Sequence, residues 1–161
     1  MASLLRQTSE SMAKTLRESN YFRTVPTIPV LVEDEKDIMK QIENAGLKIG
    51  AFVVVKFDQT GDSMTEIPGP NLGDCEFSVN VIEVPQIWRQ KPGPTPSAAE
   101  ISEAVANIIQ NHRPTDKDGN LLTGGGLVFK SISPLPGEES SMQFGVTFSV
   151  GLSISQTTPS R

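Results

Sequence analysis

One run of the chain, from position 74 to position 114, constrains the fold more than any other part. Its first part, DCEFSVNVIEVP, has apolar residues at every second position, which is typical of a strand with one buried face. A proline-rich segment at 86–96, which we call the crossing, follows and contains the only tryptophan, Trp88. Residues 97–112 then have the periodicity of a helix. The run predicts a helix packed on a sheet, and because it contains no residue set that could run a reaction by itself, it favours assembly over catalysis.

The helix after the crossing has two possible starts. Ser97 can cap it, with Glu100 returning the bond in a capping box, or Thr95 can cap it with Pro96 at the first helical position. Both are good helix starts, and the sequence does not choose between them. The expected buried stripe consists of Ile101, Val105, Ile108 and Ile109.

Two more helices are expected in the first third of the chain. Residues 3–19 have apolar or small side chains spaced by three or four, which predicts an amphipathic helix. A second helix is expected to begin with Asp34 as its cap and to end at Gly46, since glycine commonly follows the last helical residue.

Strands are expected on both sides of these helices. Residues 25–32 favour an edge strand, because Pro26 and Pro29 cannot donate hydrogen bonds to a sheet. Further strands are expected at 48–57, 127–132 and 144–152. The strand expected at 48–57 has apolar residues on both of its faces, which is typical of a strand covered on both sides.

These segments predict one α+β domain over residues 1–161. It has a largely antiparallel sheet of four or five strands, with about three helices packed on one side and long loops rich in proline and glycine. Within it we expect an N-terminal helix in 1–22, an α/β core at 25–152 and a flexible tail at 153–161.

Charge and cysteine content exclude several classes of protein. The chain has 14 Lys and Arg against 19 Asp and Glu, a net charge of −5, which disfavours tight binding to nucleic acid. Because Cys75 is the only cysteine, an intrachain disulfide is impossible and a cysteine-based zinc site is disfavoured. The first ten residues lack the apolar core of a signal peptide, and no stretch approaches a membrane span, so we expect no membrane association.

Candidate chemical groups each have a simpler structural interpretation. His112, the only histidine, is expected in the last helical turn, where a positive charge favours the helix dipole. A nucleophilic pair of Cys75 and His112 is conceivable, but Cys75 lies on the inward alternation and is expected in the core. The segment 116–120 is expected to be a turn rather than a calcium loop, and 124–126 a flexible start to a strand. No catalytic, cofactor-binding or metal-binding residue is therefore predicted.

The crossing contains the candidate protein interface. Tryptophan and arginine in a loop are enriched among the residues that anchor interfaces, which applies to Trp88 and Arg89. The alternative for Trp88 is that it folds back over the end of its own core. The predicted interface residues are Ile87, Trp88, Arg89, Pro92 and Pro94.

The order of these elements also resembles a known protein family. The strand FSVNVIEVPQIWR, the GPT break after it, and the alanine-rich helix that closes in Arg113 and Pro114 are similar to small phage virion proteins of the tail terminator and tail-completion type. The resemblance covers about residues 25–152.

The resemblance implies a structural virion protein of the phage tail or neck that is not an enzyme and is assembled in the host cytoplasm. Such a protein forms a ring, a homohexamer, on the tail-tube protein and presents a surface to the head–tail connector, while DNA passes without specific binding. No cofactor is implied. The alternatives are another neck, head-completion or minor tail protein and, from a different class, a small ligand-binding domain or a cysteine hydrolase centred on Cys75 and His112.

Overall fold

The computed structural model describes residues 3–60, 71–122, 125–137 and 140–153. The predicted flexible tail lies outside these residues beyond position 153. Position 124 of the predicted glycine segment and positions 61–70, which belong to one of the expected long loops, lie outside them as well.

Five helical segments and five strands make up the described fold. The α-helices are α1 (Leu4–Glu18), α2 (Asn20–Arg23), α3 (Ile38–Asn44), α4 (Pro85–Trp88) and α5 (Ala98–Ile109). Helix α3 continues directly into a π-helical segment, Ala45–Ile49, and we call residues 38–49 together the α3–π helix. The strands are β1 (Val30–Val32), β2 (Ala51–Thr60), β3 (Asn71–Glu83), β4 (Val128–Leu135) and β5 (Met142–Ser153).

The strands form a single mixed sheet in the order β1-β2-β3-β5-β4. Strand β1 is parallel to β2, and the other three pairs are antiparallel. The α+β class and the largely antiparallel sheet are therefore confirmed. Strand β1 lies at the edge, as Pro26 and Pro29 before it predicted, but only three residues of the expected 25–32 form it.

The helices lie on both faces of the sheet, so the prediction of helices on one side needs correction. Helices α1 and α5 pack on one face, where Met12, Leu16 and Ile101 meet the inward side chains of the strands. The α3–π helix covers the other face at β2, with a separate small core formed by Leu31, Ala45, Phe52, Val54, Ile38 and Ile42. The reason is the apolar character of β2 on both alternations, which requires burial on both sides.

Three helix boundaries differ from the predicted ones. The second helix passes its predicted end at Gly46 and continues to Ile49, where Gly50 with a left-handed φ of 93° ends it. Helix α3 begins at Ile38 rather than after Asp34, because the Glu33 amide still donates to Val55 O at 3.0 Å and extends the strand pairing past β1. Helix α5 starts in the capping box of Ser97 and Glu100, which decides between the two expected starts. It ends at Ile109, since Asn111 has a left-handed φ of 70° and its amide turns to Leu127 O at 2.9 Å.

Both edges of the sheet carry features that limit further strand pairing. On β1, the Arg17 side chain of α1 donates to Val30 O from Nε at 3.1 Å and from Nη2 at 2.6 Å. On β4, the pairing register with β5 shifts between Phe129 and Ser131, and Pro134 has no amide hydrogen. Such features are typical of protected edge strands.

Candidate functional site

The crossing is fixed to the core by a buried carboxylate at the end of β3. Glu83 has no exposed surface and accepts from Arg89 Nε at 2.7 Å and Nη2 at 3.3 Å. It also accepts from the backbone amide of Ala98, the first residue of α5, at 3.0 Å. One carboxylate therefore binds the start of the crossing and the helix that follows it.

Glu83 was not predicted as a site residue, although its position in the sequence contains a signal. Glu83 continues the inward alternation that starts at Cys75, and a charged residue at such a position needs a partner. Arg89, six residues later, supplies the charge that makes its burial possible. The hydrogen bond to the Glu83 carboxylate also raises the pKa of Arg89.

Trp88 lies inside the molecule and not on its surface, where the interface prediction had placed it. Its side chain is fully buried in the main core, and its indole Nε1 donates to Pro96 O at 2.8 Å. This hydrogen bond joins the first part of the crossing to its last residue. Because no part of this side chain is exposed, Trp88 folds back over its own core, the second of the two roles considered.

The start of the crossing also packs tightly against the end of the π-helical segment. Gly50, which follows that segment, has a left-handed φ of 93°, and a Cβ there would lie 2.6 Å from Trp88 N. The Val84 amide donates to Gly50 O, at 2.6 Å. A glycine is required at this position by both the backbone conformation and the close approach.

The other predicted interface residues are partly or largely exposed. Ile87 is partly buried beside Gly50, and the Arg89 side chain is about half exposed although its guanidinium is bound to Glu83. Pro92 and Pro94 are exposed. Of the predicted set, Trp88 is therefore buried, whereas Arg89, Pro92 and Pro94 form an exposed rim of the crossing.

A cleft of about 390 Å³ lies next to this rim. Tyr21 and Pro26 line one side, and Pro94, Pro96 and Glu100 line the other. Burial first, and the Glu100 and Glu103 carboxylates second, raise the pKa of Tyr21, so its hydroxyl keeps its proton. Because Thr24 and Thr95 also line it, the cleft presents proline and tyrosine rings together with polar groups.

His112 occupies a different place from the one predicted. It follows α5 instead of lying in its last turn, and its Nε2 lies 2.9 Å from Ser11 Oγ in α1. The Ser11 hydroxyl oxygen also accepts from Thr115 N at 3.0 Å, so Ser11 contacts both the imidazole and the backbone that follows it. Burial lowers the pKa of His112, so the neutral ring holds α1 and does not supply the expected charge at the helix end.

Cys75 lies in the core as predicted. It has no exposed surface, and burial together with the Asp74 carboxylate raises the pKa of its thiol to about 11. A thiol in this state is a poor nucleophile at neutral pH. The imidazole of His112 instead lies within hydrogen-bond distance of two hydroxyls of α1, those of Ser11 at 2.9 Å and Thr15 at 3.2 Å.

The predicted turn at 116–120 is confirmed. Asp116 Oδ1 accepts from the backbone amides of Asp118 and Asn120, each at 2.9 Å, and these bonds help hold the pKa of Asp116 below its usual value. Gly119 has the left-handed φ of 87° that such a turn uses. Across the described ranges, no group of three or more His, Cys, Asp and Glu side chains is placed to hold a metal ion.

Comparison with known proteins adds a likeness of fold. A solved chain described as "Virion of native gene transfer agent (GTA) particle" aligns with a TM-score of 0.55 at 14% identity, over 90% of this chain and 93% of that chain. The fold occurs in a virion. At this identity the likeness shows the fold alone.

The other comparisons add no family. A second solved structure aligns with a TM-score of 0.49 at 13% identity, over 92% of this chain and 96% of its own. The sequence matches no family model and no curated protein. None of the described helices has the length and apolar character needed to cross a membrane.

Proposed function

We propose that this chain is a structural virion protein, and specifically a tail terminator. It forms a hexameric ring on the end of the tail tube and joins the tube to the head-side connector. The observation that carries the proposal is the fold shared with a chain of a virion particle over nine tenths of both chains. The resemblance of residues 25–152 to tail terminator proteins supplies the specific role.

The crossing supports this role as a rigid contact surface. Its inner side is held by Glu83 and Trp88, while Pro92 and Pro94 lie exposed on the outer side. Exposed Val25 extends the surface, since its carbonyl oxygen lies 3.4 Å from where a Cβ on Gly93 would be. A surface fixed before binding loses little conformational entropy in a complex, which favours association.

The proposal gives the chain no catalytic centre. Cys75 is buried and has a raised pKa, and His112 is bonded to α1, so the cysteine hydrolase alternative has no activated nucleophile to use. The partners are other copies of this chain, the tail-tube protein and the connector. The net charge of −5 disfavours adhesion of DNA that passes through the ring.

The proposal implies a tail-tube protein in the same genome, and the test is an assembly experiment that mixes that protein with this chain. We expect purified chain, examined by light scattering and negative-stain microscopy, to form rings, and we expect added rings to cap tubes and stop their growth. Tubes that lengthen unchanged and bind none of the chain would refute the terminator role. Binding to the connector alone would favour the alternative of another neck or head-completion protein.

A further inference from the structure

We draw no further inference here: the strongest candidate, the cleft of about 620 Å³ between α1 and the 116–120 turn, has two lysines and three carboxylates among its described lining residues, so its charges favour no one class of ligand, and nothing in the described part of the chain shows what would occupy it.

Discussion

The two connections of α5 to the sheet are held in different ways. The crossing before α5 is fixed by a buried carboxylate and a buried indole, which bind Arg89, the Ala98 amide and Pro96 O. The segment after α5 is held near the surface by neutral contacts of His112 with α1 and by the turn at Asp116. The difference indicates that the first connection is rigid, whereas the stability of the second depends on pH. Three changes test this comparison, in order of expected effect.

The largest effect is expected at Trp88. Trp88→Ala removes a fully buried side chain and should lower the free energy of unfolding by about 3–5 kcal/mol. Trp88→Phe keeps a ring but leaves Pro96 O without its donor, so a smaller loss of about 1–3 kcal/mol is expected. Urea unfolding measures both. An unchanged stability together with lost rings would return Trp88 to an interface role.

A smaller effect is expected at Glu83. Glu83→Gln keeps the shape but removes the charge that binds Arg89, and hydrogen bonds to charged groups contribute about 1.5–3 kcal/mol each. The half-exposed Arg89 recovers some solvation, so the loss should fall near the lower value. Glu103→Gln, on the exposed side of α5, is the matched control and should change stability by less than about 0.5 kcal/mol. Equal losses in the two variants would mean that the buried carboxylate does not fix the crossing.

The smallest effect is expected at His112 and depends on pH. Its pKa is lowered by burial in the folded chain, so the unfolded chain binds the proton more readily. Its contribution to stability is therefore complete above about pH 6.5, the unfolded value, and is lost as the pH falls from there through the folded pKa. We expect wild-type protein to lose more stability than His112→Gln between about pH 7.5 and about pH 5.5. Thermal unfolding at several pH values measures the difference, and parallel losses would contradict the role given to His112.

Local sequence patterns predicted the elements well where a single segment contains its own signal. The capping residues Ser97 and Glu100 and the inward position of Cys75 are visible in short windows. The end of α5 is not visible in a short window, because it depends on the Asn111 amide, which donates to Leu127 O.

The candidate site was less predictable because its contacts join distant segments. Nothing near Trp88 in the chain shows that Gly50 approaches it, and a proline-rich context suggested an exposed loop. Glu83 was not among the predicted site residues, although its place in the alternation of β3 points inward. The apolar character of β2 on both alternations did indicate a second covering layer, but the sequence did not show which helix supplies it.

In the ring proposed above, where several copies lie close together, the bond from Arg17 to Val30 O has a further consequence. A bare strand edge at high local concentration can template uncontrolled polymerisation. With β1 blocked by this guanidinium and β4 interrupted by its register shift and Pro134, the sheets of neighbouring copies are kept from merging into a fibre. In the proposed ring, copies would then meet through side chains, so that the assembly can stop at a defined size.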